Sequence, residues 1–512
     1  MIAAAIFLAA VFTRPMERVS TMDPAFAQSV YDSRAVALVY ESPLAFDYEK
    51  RPYELVPGLC ELPEVSADGL TYRFRVRDGK AATAADMVRS LERLRDPKIL
   101  SPNGWMLKEV TTMRAIDERT AEIRLKRRQH VFPYLMAMSP ASVRLPDGSG
   151  TGPYVLSSWR KNHAMTFTRK PSTPTPTPST YTFSSPAPFD TIRYLVIDDI
   201  STQWLMFLKG EVDLLGELSR DNWDAVMSAP LAADATVRTA TGTKTFLPNI
   251  GATLHLMPTL ETAYVGINMR DPVLGPNRKL RQALNAAFDF PAWERFSSGR
   301  VLAAGGPVPP SVSGALPAES FPYRFDLAKA RKLIAEAGYP GGIDPKTGRH
   351  LVLTLAIGRA SQDSREAGEL MASFWDRIGV KLELRFYTWD AFLKAVNEGR
   401  VQLFRMGWVG DYPDAENFLQ LFHSKNRSPG PNHSDYVNAE YDREYDAAMA
   451  AETVEERLGH WRRCQEILQE DCPWVFTHFN LASSLVRPRV GNYLPSDFPY
   501  GQEAHFHENA VP

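Results

Sequence analysis

Apolar and polar residues alternate along Gly69-Leu70-Thr71-Tyr72-Arg73-Phe74-Arg75-Val76-Arg77-Asp78-Gly79, and the run closes on Asp-Gly. That pattern predicts a half-buried strand followed by a turn. The period then lengthens: Val88, Leu91 and Leu94 share one face of a helix expected over 84–94, with Thr83 as its N-cap. Gly150-Thr151-Gly152-Pro153-Tyr154 reads as a rigid turn leading into another short strand. Farther on, 192–197 reads as a strand, 201–209 as a helix broken at Gly210, and 212–215 as a second strand, a spacing that predicts a βαβ unit. After Tyr264-Val265-Gly266-Ile267-Asn268, the residues Leu280, Ala283, Leu284, Ala287 and Phe288 form an apolar helix face. Helices over 327–337 and 365–378 end at Gly338 and Gly379, and 380–386 alternates as a strand with one wet face. Repeated crossovers of this kind predict an α/β protein.

One strand carries more chemistry than the others. Residues 401–406 alternate and are short, and Gly407, Gly410 and Pro413 are the residues expected to stop them. The strand end then bears Arg405, Trp408, Asp411 and Asp414, at the carboxyl side where open α/β sheets place ligand crevices. A guanidinium, an indole and carboxylates suit a zwitterion. Taken alone, Arg405 and Asp411 also fit a surface ion pair, with Trp408 in the core. Asp411 and Asp414 fit caps and ion-pair partners better than a general acid/base pair.

Length and composition narrow the classes. A chain of 512 residues exceeds what one core supports and implies two or three lobes. With 44% hydrophobic and 23% charged residues it is an ordinary folded chain, and a formal net charge of -2 removes any general electrostatic reason to bind nucleic acid. Aromatic residues make up 11%, a type that lines ligand sites by stacking. Cys60, Cys464 and Cys472 lack metal or redox spacing. Continuous helix between Cys464 and Cys472 would separate their Cα atoms by about 12 Å, too far for a bridge, so buried free thiols are expected. The apolar run over 1–12 has the length of a signal-peptide core and is too short to span a bilayer. It makes 1–20 a candidate signal segment, although no Lys or Arg precedes the run and the Ala25-Phe26-Ala27 site lies late. The Pro/Thr/Ser tract 171–188 reads as an extended loop, and His505-Phe506-His507 reads as surface. No P-loop, G-x-G-x-x-G, H-E-x-x-H or G-x-S-x-G motif occurs, so nothing in the sequence supports an enzyme.

Five segments stand in an order that resembles a known family: Val56-Pro57-Gly58-Leu59; Ser66 to Tyr72 with Arg77-Asp78-Gly79; Gly150 to Tyr154; Tyr264 to Asn268 with Arg281-Gln282-Ala283-Leu284; and Gly407-Trp408 through Phe418. From about Met22 to the C-terminus the chain is similar to the family-5, or dipeptide/oligopeptide, extracellular solute-binding proteins of ABC importers. The resemblance implies an α/β, two-lobed periplasmic-binding-protein fold with a hinge and an extra subdomain in the first lobe. Lobe I would take 21–260, with the subdomain inserted at about 45–150. Lobe II would take 261–482, and 483–512 would return to lobe I. It implies a periplasmic monomer that captures peptides in an interlobe cleft and passes them to permease subunits in the inner membrane, with no cofactor and no bond made or broken.

Residue by residue, Trp389, Arg405, Trp408 and Asp411 fall at the spacing of oligopeptide-binding members, with Tyr412 beside the acid. Asp411 matches the acid that captures the peptide α-amine, Arg405 a basic position able to take a carboxylate, and Trp389 and Trp408 the pocket walls. Main-chain groups near Gly407 and Val409 would pair with the peptide as an added strand. Three features depart from the family pattern: a second basic position falls on Val396, the turn between Asp78 and Ala84 lacks its aromatic-His-Asp-Gly motif, and 126–150 is short. These losses leave open a non-peptide solute, such as a metal chelate or oligosaccharide. A hydrolase, or a degenerate member serving as a sensory partner, is the reading from another class.

Overall fold

A computed structural model describes residues 10–171, 188–216, 218–227, 236–239, 242–428, 430–498 and 500–509. The chain divides into two compact units, one of residues 1–257 with 482–512 and the other of residues 258–481. The strands Ala252–Ile267 and Trp474–Val486 each run from one unit into the other.

In the first unit, Val11–Met16 pairs in parallel with Thr191–Val196, and Ala164–Arg169 and Tyr154–Arg160 complete a four-stranded sheet. Phe12, Ile192, Tyr194, Phe167 and Val36 fill its core. The apolar N-terminal run is therefore divided. Residues 1–9 lie outside the described residues, whereas Val11 and Phe12 open a strand, and Phe12 is 0% exposed. Cleavage after Ala27 would remove that strand, in which Phe12, Arg14, Pro15 and Met16 are buried; Ala25 and Ala27 are buried as well, while Phe26 between them is exposed. Most of the Pro/Thr/Ser tract, 172–187, also lies outside the described residues.

A second four-stranded sheet of this unit contains Thr71–Arg75 between Glu64–Val65 and Thr120–Leu125. Tyr72 and Phe74 are buried and Arg73 and Arg75 exposed, as the alternation requires. The helix Ala84–Arg95 starts where Thr83 and Asp86 form a reciprocal capping box, which satisfies two N-terminal amides. One expectation fails. Ile200–Lys209 is a helix ended by left-handed Gly210, but Leu214–Leu215 pairs with Trp474–Val486 and not with the sheet of Thr191–Val196. The segment links two sheets instead of forming a βαβ crossover, because periodicity marks a strand without naming its partner.

True crossovers occur in the second unit. Val352–Ile357 and Lys381–Phe386 are parallel and joined through the helix Gln362–Asp376, and Leu403–Val409 lies parallel to the other side of Val352–Ile357. Met371, Phe374 and Trp375 bury that helix, and the Trp375 indole donates to the Leu284 carbonyl at 3.0 Å. Ala252–Ile267 then pairs antiparallel with Leu403–Val409. The helix Val454–Asp471 ends at Cys472, and Cys60, Cys464 and Cys472 are buried free thiols.

Candidate functional site

Leu403–Val409 extends three residues past Met406, where the sequence pattern ends it. Gly407 does not stop the strand: its backbone pairs with Ala263, and a Cβ there would lie 2.8 Å from Glu261 Oε1. A neighbouring side chain already covers that position, so any larger residue there would have to displace the Glu261 carboxylate. The strand is buried at Leu403, Phe404 and Met406, while Arg405 is half-buried and Gly407 and Val409 are exposed. Arg405, Gly407 and Val409 therefore share the open face, and Trp408 lies on the other.

Beyond Gly410, Asn417 organises the turn. This residue is 0% exposed, and its Oδ1 accepts from Trp408 Nε1 at 2.9 Å and from the Asp411 amide at 3.2 Å, while its Nδ2 donates to Asp411 Oδ2 at 3.3 Å. Asp411 is open to solvent on one side. Even so, the protein packed around it desolvates the carboxyl and raises its pKa, an effect only partly offset by the Asn417 bond. Asp411's partner is thus Asn417 and not Arg405, and the two opposite charges remain separate rather than forming the surface ion pair that fits them in isolation.

Arg405 stands opposite Val265 on one side and Ile357 on the other. Its guanidinium lies 5.9 Å from the Trp293 ring, and among the described residues no carboxylate comes within 4.0 Å of it. Burial lowers its pKa, and the nearby Glu261 charge counters that. Beside it, His478 is pushed down to about 3 by burial and by the Arg405 charge, so its ring is neutral at pH 7. Glu261 is held by Asn480, whose Nδ2 donates to Oε2 at 3.1 Å.

The remaining sequence candidates separate. Trp389 begins the helix Trp389–Asn397, is 54% exposed and stacks on Phe392 at 5.5 Å. It packs by Gly358, one residue past Ile357, and so stands at Arg405's end of the sheet. Tyr412 turns inward: its hydroxyl donates to Glu416 Oε2 at 2.5 Å, Tyr445 donates to Oε1 at 2.6 Å, and burial raises the Glu416 pKa. Asp414 makes a bidentate pair with Arg457 at 2.7 and 2.8 Å and accepts from the Glu416 amide, in keeping with a cap and ion-pair partner. Val396 is buried in its helix. Asn417, Glu261, Asn480 and His478 carry no sequence motif, and only strand register and the turn bring them to the site. Among the described residues no group of His, Cys, Asp and Glu is placed to hold a metal ion.

Arg405 on the open strand face and Asp411 in the turn beyond it are opposite charges held apart, with Trp389 at Arg405's end of the sheet and the Trp408 indole tied to the turn through Asn417. The chain belongs to the bacterial extracellular solute-binding proteins, family 5, whose middle-region model matches residues 54–430. It is 25% identical to the heme-binding protein A of Haemophilus influenzae over 89% of this chain and 84% of that protein. It is 24% identical to the dipeptide-binding protein of Escherichia coli over 94% of this chain and 90% of that protein. The solved structure of HbpA2 from Haemophilus parasuis superposes with a TM-score of 0.82 at 22% identity, covering 98% of this chain and all of the other. The fold is therefore the two-lobed periplasmic-binding-protein fold, α/β in class. Family 5 consists of solute-binding proteins and not enzymes, and among the described residues no helix is long and apolar enough to cross a membrane.

Proposed function

We propose that this protein captures short peptides outside the cytoplasm, with Asp411 receiving the free α-amine and Arg405 the carboxylate, and that it delivers them as a monomer to the permease of an ABC importer. The observation that carries this reading is the unpaired strand edge between the two charges. Val352–Ile357 leaves its neighbour at Arg405, so the backbone of Met406 to Val409 has no register partner on that side among the described residues. An extended peptide laid there gains main-chain hydrogen bonds whatever its side chains, and its terminal charges lie toward Asp411 and Arg405. The protein packed around Asp411 partly desolvates it, and among the described residues no lysine, arginine or histidine nitrogen lies within 4.0 Å of it, so an ammonium would add charge-assisted bonds on its open side.

The dipeptide-binding relative supports this reading. The heme-binding relative points elsewhere, but a porphyrin offers two carboxylates and no ammonium, which leaves Asp411 without a role. Calorimetry with a free tripeptide and its N-acetyl form tests the amine anchor. The Asp411→Asn change should weaken the free peptide by about 2–5 kcal/mol, the usual cost of truncating a buried charge pair, and leave the acetylated one little changed. Equal affinity of the native protein for both forms would overturn the assignment.

A further inference from the structure

We propose that Glu261 is a specificity-determining residue that selects peptides bearing one lysine or arginine side chain, by receiving that side chain's cation above Gly407. The proposal rests on the peptide reading above and adds the charge class of the ligand.

Register places Glu261 opposite Val409 in the antiparallel pair, so its side chain rises on the same open face as Arg405, Gly407 and Val409. The absence of a side chain at Gly407 lets the carboxylate lean across the central strand, which is why a Cβ at Gly407 would meet Glu261 Oε1 at 2.8 Å. Asn480 fixes the other oxygen at 3.1 Å, leaving Oε1 toward the open face. Among the described residues no lysine, arginine or histidine nitrogen lies within 4.0 Å of Glu261.

The charge count on this face points the same way. Among the described residues, Arg405 has no carboxylate within 4.0 Å, the acids Glu261 and Asp411 have no lysine, arginine or histidine nitrogen within 4.0 Å, and His478 is neutral. A zwitterionic peptide would pair its amine with Asp411 and its carboxylate with Arg405, which takes from Glu261 the compensation that the Arg405 charge gives it. An acid left uncompensated in a partly desolvated site opposes binding, and a second ligand cation removes that opposition. Reach favours a long side chain. A peptide strand added at the free edge lies about 4.8 Å from Leu403–Val409, and Glu261 has already leaned over that strand, so a four-carbon ammonium or an arginine guanidinium spans the gap.

Calorimetry on three tripeptides, with lysine at the first, second or third position, against their norleucine counterparts tests the proposal. The native protein should bind lysine about tenfold or more tightly at one position, and Glu261→Gln, which keeps an acceptor for Asn480, should bring that ratio to about two or less. Lysine and norleucine binding alike at all three positions would show Glu261 to be only the counter-charge of Arg405. A lysine preference that survives Glu261→Gln would place the selectivity elsewhere, and either result overturns the inference while leaving peptide binding intact. Failure of all six peptides to bind would instead overturn the peptide reading and this proposal with it.

Discussion

Asn417 ties the turn of the site together, since one buried amide bonds both an indole and a carboxylate. Replacing it with alanine leaves the Trp408 indole N–H and the Asp411 amide without partners inside unit two. The expected loss is about 1–3 kcal/mol of stability, measured by urea denaturation, together with weaker peptide binding by calorimetry. Residue types at a strand end made Arg405, Trp408 and Asp411 candidates, because charge and aromatic area are legible without coordinates, whereas Trp389 entered through the family resemblance. Side-chain direction is not. Tyr412 lies next to Asp411 in sequence, yet its phenol points to Glu416, a choice made by the buried Glu416–Tyr445 pair.

At the scale of elements, close packing across the Ala252–Ile267 and Leu403–Val409 pair rests on two glycines with different tolerances. A Cβ on Gly407 would meet the flexible end of Glu261, whereas a Cβ on Gly266 would lie 2.2 Å from ring atoms of Phe404, which is 0% exposed. Gly266→Ala should therefore cost about 1–3 kcal/mol, the usual range for overpacking. Gly459 in Val454–Asp471 has nothing within 4 Å of its Cβ position, so Gly459→Ala should stabilise by up to about 1 kcal/mol. Urea midpoints of the two variants moving in the same direction would contradict this reading. Caps and breaks were legible at this scale: Thr83, Gly210 and Gly379 act where the sequence places them. The helix before Gly379 begins earlier than its apolar face suggests, at Gln362, because Ser361 caps it through the Ser364 amide.

For the whole molecule, His255, His478 and His505 contribute to the response to acid, alongside His433, which burial also lowers. Burial pushes His255 and His505 down to about 4, and burial with the Arg405 charge pushes His478 to about 3, all from an ordinary value of 6.5. The fold holds each ring neutral, so the unfolded chain binds more protons below pH 6.5, and stability falls as pH drops from 6.5 toward 4. Each ring contributes up to about 3 kcal/mol to that loss. Melting temperature should fall clearly between pH 7 and pH 4.5, with a smaller fall in His505→Gln; a flat profile would contradict it. The sequence reading of His505-Phe506-His507 as surface misses this, since Phe506 is fully buried and His505 stacks on Tyr48 at 4.5 Å.

The sequence by itself determined the α/β class, the caps and glycine breaks, the free thiols, the family and the residue types of the ligand face, because periodicity, capping and turn chemistry act over a few residues. Only the tertiary structure decided what depends on partners far along the chain. It put Val11–Met16 into a sheet, sent Leu214–Leu215 to a different sheet from Thr191–Val196, turned Tyr412 inward and laid Glu261 over Gly407. Register and side-chain direction are properties of paired strands, and no single segment contains its partner.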